Sequence, residues 1–330
     1  MLAFWMVSGL RRHHPGMAPP AGKTSAVVTR TVAVEGAELY TERRGSGPPL
    51  VLIPGGLGDA GSFADAAASF AEHFTVLSFD RRGNSRSRLT VPPEAIEVAQ
   101  ESSDALAVLD AYGFTSALMV GSSASAVFLL DLVARYPEAV ELAVIHEPPL
   151  LSMLGGERQA WFDALRRVAA DEGGWPAFVR FVVGLNAEPE PRVVRGRAGR
   201  AILAWLARTA IGVLRMFAGH AGRNALVARM MGNAEYFAAY EMQSIVRYQP
   251  DLDKLSVVRD KLVVAHGQTS RGYFYARAGL RLAERVGCRV LELPGGHDGY
   301  MRLPEQWAAA LTPTLAPSMS AARVFGYNPR

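Results

Sequence analysis

The sequence of 330 residues is poor in cysteine and lysine, and each shortage excludes a class of protein. Cys288 is the single cysteine, so the chain cannot form an internal disulfide and is not a disulfide-stabilised secreted fold. Lysine occurs only at positions 23, 254 and 261, so the net charge of +4 comes from scattered arginine. Basic residues do not form a stripe interleaved with aromatics, and we expect no nucleic-acid partner.

Long apolar runs are also missing. Runs such as 199–217 contain arginine or glycine before they reach the roughly 20 apolar residues that a membrane helix needs. The N-terminal stretch MLAFWMVSGLRRHH has its basic residues after the apolar segment, which is the wrong order for a secretory signal. We therefore expect a cytoplasmic protein with no membrane partner, and we leave open whether it forms a homodimer.

What the sequence does contain is an alternation of strand-like and helix-like segments. Continuous apolar runs without polar alternation, typical of strands covered on both faces, occur at 49–56, 74–80, 117–123 and 141–147. Helical spacing separates them, over 63–72, 94–111 and 124–136. The pattern predicts an α/β fold with a mostly parallel, doubly wound sheet, preceded by an antiparallel hairpin over 26–44.

The alternation stops over residues 151–250 and returns at residue 261. The interval has no convincing strand, and its aromatic and methionine residues recur at helical spacing, so we predict a helical cap inserted into the core. The predicted organisation has four parts: a flexible N-terminal extension (1–24), a core formed by 25–150 and 251–312, the cap (151–250), and a weakly ordered tail (313–330).

The stretch LMVGSSASAVFLL, residues 118–130, places three serines between a predicted strand and a predicted helix. A tight turn there would hold a nucleophilic serine clear of the sheet, and it tolerates only small residues two positions before and two after the serine. Ser123 has Gly121 and Ser125 at these positions, whereas Ser122 and Ser125 would each have a valine at one of them. Ser123 is the predicted nucleophile, and a helix N-cap is its alternative role.

Four segments, in this order, resemble the α/β-hydrolases: LIPGGLGDAGSF, SFDRRGNSRS, VGSSAS at the elbow, and LPGGHDGY near the C-terminus. The resemblance covers about residues 37–312 and implies the α/β-hydrolase fold of a serine-nucleophile esterase or related hydrolase with a helical cap. The elbow departs from the common G-x-S-x-G form, because Ser125 stands where glycine is usual.

The resemblance also implies the catalytic base and the oxyanion hole. His297, in PGGHDGY, matches the family's catalytic histidine, and histidine has a pKa suited to a general base. Two backbone N–H groups would stabilise the negative oxygen of a tetrahedral intermediate. One belongs to Ala124, directly after the nucleophile, and the resemblance assigns the other to Gly56, with Gly55 permitting the close approach. His266, at the end of a strand, is expected to be buried and hydrogen-bonded.

Neither a metal nor another cofactor is expected. The histidines do not pair with cysteine, aspartate or glutamate at metal-ligand spacing. The glycine-rich stretch GGLGDAG lacks both the G-x-G-x-x-G pattern and the Walker lysine, so a nucleotide is not predicted.

The triad acid is the clearest departure from the family pattern. The family usually places a carboxylate after the penultimate strand, where this chain has Gln268, Thr269 and Ser270. Some members carry the acid after the strand that follows the elbow, and Glu147 lies there. Two alternatives remain open: Glu147 is a structural residue at the entry to the cap, or Ser123 and His297 act as a dyad with a neutral partner.

Two further carboxylates are less suited to this role. Asp298 adjoins His297, and the side chain of a sequence neighbour normally points elsewhere. The resemblance makes Asp80 a turn-forming residue whose carboxylate caps the loop that follows it.

The sequence predicts hydrolysis of an ester, lactone or related acyl bond. The aromatic and methionine content of the cap favours an apolar small-molecule substrate. A lyase, a cyclase or a binding protein of secondary metabolism, retaining the fold after loss of the triad acid, is the alternative. The arginine-rich, lysine-poor composition suggests a bacterial source.

Overall fold

The computed structural model describes residues 26–185, 187, 189–219 and 222–316. Within them nine strands, β1 to β9, form one sheet: Val28–Val34, Ala37–Arg44, Pro49–Ile53, Thr75–Phe79, Arg88–Leu89, Ala117–Ser122, Val140–His146, Leu262–Gly267 and Arg289–Leu293. The N-terminal extension predicted over 1–24 lies outside the described residues, and so do residues 317–330 of the predicted tail.

The strand order is β1-β2-β4-β3-β6-β7-β8-β9, and the two-residue β5 pairs with β2. Strands β1 and β2 form an antiparallel hairpin, β2 also runs antiparallel to β4, and the pairings from β4 through β9 are parallel. Successive strands β3 and β4 exchange places in the sheet, as in a doubly wound arrangement. The predicted α/β class, the mostly parallel sheet and the N-terminal hairpin are confirmed.

Fourteen α-helical segments, α1 to α14, lie within the described residues. Their bounds are Ala64–Phe70, Val98–Ala111, Ala124–Arg135, Gln159–Glu172, Gly174–Gly184, Arg192–Arg195, Arg197–Phe217, Gly222–Gly232, Ala234–Tyr236, Met242–Arg247, Leu252–Val257, Phe274–Val286, Gly299–Arg302 and Pro304–Leu315. Short 3-10 segments occur at Ala60–Phe63, Pro137–Ala139, Leu151–Leu154 and Arg259–Lys261, and one π-helical turn spans Phe237–Glu241. None of the described helices is both long and apolar enough to cross a membrane.

The core lies on both faces of the sheet, which explains the unbroken apolar runs. In β3, Leu50 and Leu52 belong to one buried cluster, whereas Val51 and Ile53 belong to the other. Side chains alternate between faces along a strand, so a strand covered on both sides has no polar position. Helices α1 and α14 contribute to the first cluster, and α2, α3 and α12 contribute to the second.

Two helix bounds differ from those predicted. The helix expected over 94–111 begins at Val98, and the backbone N–H of Ile96, before it, donates to the carbonyl of Tyr240 in the cap. The last helix ends at Leu315 rather than 312, because Leu315 is fully buried in the core. Between the 3-10 turn that follows β7 and the start of β8, the described residues are helical or irregular and contain no strand.

Candidate active site

Ser123 occupies the sharp turn between β6 and α3. Its backbone has φ 57° and ψ −118°, which a residue with a side chain rarely adopts, and its N–H donates to the carbonyl of His146 at 2.8 Å. The side chain is partly exposed and makes no capping hydrogen bond with α3. This geometry is that of a strained elbow that presents a hydroxyl.

Small residues around Ser123 permit the turn. A Cβ at Gly121 would lie 2.5 Å from the carbonyl oxygen of Ser125, which is closer than atoms can approach. The Ser125 hydroxyl donates to the carbonyl of Pro54, in the loop after β3. The serine that replaces the usual glycine therefore links the elbow to the glycine-rich loop.

The glycine-rich loop lies against the elbow. A Cβ at Gly55 would be 3.2 Å from the Cβ of Ser123, so the loop and the serine are in close contact. A Cβ at Gly56 would be 2.4 Å from a ring carbon of Phe237, in the cap. Gly56 thus lies between the elbow side of the core and an aromatic ring of the cap, and only glycine fits there.

Glu147 and His297 are in direct contact. Glu147 follows β7 with a left-handed φ of 52°, and its Oε2 lies 2.5 Å from Nδ1 of His297. Its Oε1 accepts the backbone N–H of Gly267 at 2.8 Å. Glu147 and Gly267 lie at the ends of the neighbouring parallel strands β7 and β8, and His297 lies in the loop after β9.

The other acid candidates lie differently. Gln268 is exposed, and the carboxylate of Asp298 pairs with Arg302 one helical turn later. Asp80 is fully buried, and its two oxygens accept the N–H groups of Ala60 and Arg86, each at 2.9 Å. The predicted turn-forming role of Asp80 is confirmed.

The environment of Glu147 favours its ionised form. Burial alone would raise the pKa of this carboxyl, but the hydrogen bond from His297, the nearby His146 and the Gly267 N–H together lower it to about 2. Glu147 is therefore a carboxylate at neutral pH and accepts a hydrogen bond from the Nδ1–H of His297. The opposite ring nitrogen, Nε2, then remains free to accept a proton.

A second histidine lies behind this pair. His146 is fully buried, its Nδ1 lies 2.9 Å from the Ser122 hydroxyl, and its ring centroid is 6.2 Å from that of His297. Burial lowers the pKa of His146 to about 4, so its ring is neutral at physiological pH. His266, in contrast, lies within β8 with Nδ1 3.2 Å from the Gly267 carbonyl oxygen, as expected for a buried strand histidine.

Ser123 and His297 line the same cavity, of about 430 Å³, between the core and the cap. Tyr275 packs on the His297 ring with centroids 4.3 Å apart. Most of the remaining wall is apolar and is supplied largely by cap residues, among them Phe162, Phe181, Leu185, Phe237, Met242 and Ile245. The cavity is large enough for a small molecule and suits one with an apolar surface.

Comparison with known proteins identifies the family. Residues 48–181 match the family model described as alpha/beta hydrolase fold. The chain is 32% identical over 289 residues to the uncharacterized hydrolase YraK of Bacillus subtilis, an alignment that covers 85% of this chain and 93% of that protein. The chain belongs to the α/β-hydrolase family. The resemblance predicted from the four motifs is thereby confirmed, and the protein is a hydrolase.

Two further similarities agree with this assignment. A zearalenone hydrolase from Bionectria ochroleuca is 35% identical over 117 residues, which cover 34% of this chain and 44% of that protein. The solved structure of a thermophilic esterase from Thermogutta terrifontis has the same fold, with a TM-score of 0.63 and 16% identity, over 89% of this α/β-hydrolase and 100% of that chain.

Sequence reasoning does not single out three polar residues that surround the glycine-rich loop. Arg81 donates to the carbonyl of Gly56 at 2.8 Å, and Asn233 donates to that of Leu57 at 3.0 Å. Glu241 pairs with Arg81 across the boundary between core and cap. The sequence does not predict that Arg81 contacts the glycine-rich loop, because its carboxylate partner, Glu241, lies 160 positions away.

Proposed function

We propose that this α/β-hydrolase is a serine hydrolase that cleaves an ester, lactone or related acyl bond of an apolar small molecule. Ser123 is the nucleophile, His297 the general base and Glu147 the triad acid. The observation that carries the proposal is the 2.5 Å contact of Glu147 with Nδ1 of His297, in a cavity that also exposes Ser123.

The first half-reaction forms an acyl-enzyme. His297 takes the proton of the Ser123 hydroxyl on Nε2 while Oγ attacks the substrate carbonyl carbon. The carbonyl oxygen becomes negative and accepts hydrogen bonds from the N–H groups of Gly56 and Ala124. The tetrahedral intermediate collapses as the carbon–oxygen bond of the ester breaks, and His297 returns the proton to the leaving oxygen.

The second half-reaction consumes water. His297 takes a proton from a water molecule, the resulting oxygen attacks the acyl carbon, and the bond to Ser123 breaks with return of the proton to Oγ. Glu147 remains ionised throughout and stabilises the imidazolium that forms in each half-reaction. For a lactone, the two products of these steps remain parts of one molecule.

The contact of Glu147 with His297 supports this function over a dyad or a fold retained for lyase, cyclase or binding roles, because those alternatives depend on a missing acid. The apolar wall of the cavity supports an apolar substrate. Zearalenone is a rational test compound, because a relative is named for its hydrolysis.

Activity-based labelling tests the proposal. We expect a fluorophosphonate probe to label the wild type, and p-nitrophenyl esters to be hydrolysed faster as the acyl chain lengthens from acetate to hexanoate. Ser123→Ala should abolish labelling and His297→Ala should slow it by at least about 10³. Ser103→Ala, an exposed serine on α2, is the matched control and should label as the wild type does. Labelling that survives in Ser123→Ala would refute the assigned nucleophile.

A further inference from the structure

We propose that the buried ion pair of Arg81 and Glu241 is a positioning device through which the cap sets the oxyanion hole at Gly56. The inference rests on the proposed serine-hydrolase function. It assigns to the cap a part in transition-state stabilisation, in addition to the substrate cavity that it covers.

The oxyanion loop needs such a device because its central residue is glycine. Gly56 has more conformational freedom than any other residue type would have, and its N–H must point at the developing oxyanion to stabilise it. Peptide groups are planar, so the direction of an N–H is fixed once the carbonyl of the same peptide is held. The Gly56 N–H belongs to the same peptide as the Gly55 carbonyl, and the Gly56 carbonyl belongs to the next peptide. Holding both carbonyls fixes the peptide planes on the two sides of the Gly56 Cα, and with them the backbone torsions of Gly56 and the placement of its N–H.

Every carbonyl along residues 54–57 has a hydrogen-bond donor. The Ser125 hydroxyl donates to Pro54, and the N–H of Gly58 donates to Gly55 at 2.9 Å. Arg81 Nη2 donates to Gly56 at 2.8 Å, and Asn233 Nδ2 donates to Leu57 at 3.0 Å. Two donors thus belong to the elbow and the loop, and the other two depend on the cap.

The cap holds the other side of the Arg81 side chain. Its guanidinium is fully buried and forms two hydrogen bonds with the Glu241 carboxylate, at 2.8 and 3.0 Å. Asn84 donates to the same carboxylate at 2.7 Å. Burial, together with the Glu241 carboxylate, raises the pKa of Glu101, 3.5 Å from Arg81, to about 8. With two hydrogen bonds against a single longer contact to Glu101, Glu241 is the closer carboxylate partner of Arg81.

One short segment of the cap contacts Gly56 and also holds Arg81. The π-helical turn Phe237–Glu241 places the Phe237 ring against Gly56 at its first residue and the carboxylate against Arg81 at its last. Such turns are rare and occur mostly at functional sites. Displacement of this turn would release the Gly56 carbonyl and its steric contact together, so the loop geometry depends on cap position.

The expected consequence is a loss of kcat with little change in KM. A misdirected N–H weakens binding of the oxyanion in the transition state but leaves ground-state contacts of an apolar substrate in place. An alkyl boronic acid is a suitable probe, because its tetrahedral, anionic adduct with serine places a boron-bound oxygen in the oxyanion hole.

The experiment compares the wild type with Glu241→Gln and Arg81→Lys, using kcat and KM for a p-nitrophenyl ester and Ki for butylboronic acid. We expect kcat to fall by about 10 to 100-fold, KM to stay within about threefold, and Ki to rise by a factor similar to the loss of kcat. Asp104→Asn is the matched control. It breaks the neighbouring buried pair with Arg82, whose other partner is the Glu35 carbonyl rather than the oxyanion loop. It should keep wild-type kcat and Ki even if stability falls.

If the single variants fold poorly, a double variant tests the same inference. Arg81→Met with Glu241→Met removes both charges of the pair at once, so stability should be closer to the wild type than in either single variant while kcat and boronate affinity fall. Unchanged Ki in these variants, or a loss confined to KM, would overturn the inference. Failure of the proposed function gives a different result: the wild type itself would not be labelled at Ser123 or inhibited by the boronate.

Discussion

Glu147 and His297 lie 150 positions apart in the chain, and their side chains meet at 2.5 Å. Parallel strands β7 and β9, on either side of β8, bring this about, because Glu147 follows β7, His297 follows β9, and both strands end at the same edge of the sheet as the elbow. We predict that Glu147→Gln lowers kcat for a p-nitrophenyl ester by about 10³ to 10⁴, since a neutral amide cannot stabilise the imidazolium.

The control for that measurement is Glu141→Gln. Glu141 lies on the same strand at its opposite end, where it accepts a hydrogen bond from Ser116 at 3.1 Å. It should retain wild-type kcat. Equal activity in Glu147→Gln and the wild type would instead favour a dyad of Ser123 and His297.

The sequence predicts the parts of this site that depend on local chemistry. The elbow around Ser123 follows from the small residues at positions 121 and 125, and the strands follow from unbroken apolar runs. From the sequence alone, the contact of Glu147 with His297 remains one of several alternatives. The position of a residue directly after a strand does not determine where its side chain points. A left-handed φ at Glu147 aims the carboxylate, and nothing in the letters VIHEPP encodes that value.

The cap contacts are less predictable still. Arg81 donates to the Gly56 carbonyl and pairs with Glu241, 160 positions away in the cap. Asn233, in the cap, donates to the backbone carbonyl of Leu57. Periodicity predicts that the cap is helical, but it does not predict which helical turn faces the loop. Pairing between residues this far apart depends on tertiary packing, and the spacing of residues in one sequence does not predict it.

Ser125 should contribute to stability through the carbonyl of Pro54. Ser125→Ala removes the hydroxyl and leaves this buried carbonyl without its donor, at a cost of about 1 to 3 kcal/mol in the free energy of unfolding. Urea denaturation measures the change. Ser103→Ala, which removes an exposed hydroxyl bonded within α2, should cost less than about 0.5 kcal/mol. Equal values for the two variants would contradict a structural role for the link between elbow and loop.

Gly56 should not tolerate even one methyl group. The Cβ of alanine would lie 2.4 Å from the Phe237 ring, so Gly56→Ala must displace either the ring or the loop. We expect kcat to fall by about 10²-fold or more, the cost of losing an oxyanion-hole donor. Combining it with Phe237→Ala should restore part of the lost kcat, because the ring no longer occupies the space. If kcat of the double variant were no higher than that of Gly56→Ala, the steric conflict would not involve the Phe237 ring.

His146 should make the protein less stable in mild acid. Its pKa is lowered by burial to about 4 in the folded state, against 6.5 for an unperturbed histidine. Between these values the unfolded chain binds a proton that the folded protein excludes, so the free energy of unfolding decreases as the pH falls. The His146 contribution lost between pH 7 and pH 5 is about 2 kcal/mol.

The difference between the wild type and His146→Gln isolates this effect, because all other titrating groups are common to both proteins. Urea denaturation at pH 7, 6 and 5 should show the wild type losing about 2 kcal/mol more than the variant, with nearly all of that loss below pH 6.5. His73→Gln, at an exposed position after α1, is the matched control and should follow the wild-type curve. Parallel curves for the wild type and His146→Gln would mean that the buried ring accepts a proton as readily as it does in the unfolded chain, and would contradict its burial as a neutral group behind the Glu147–His297 pair.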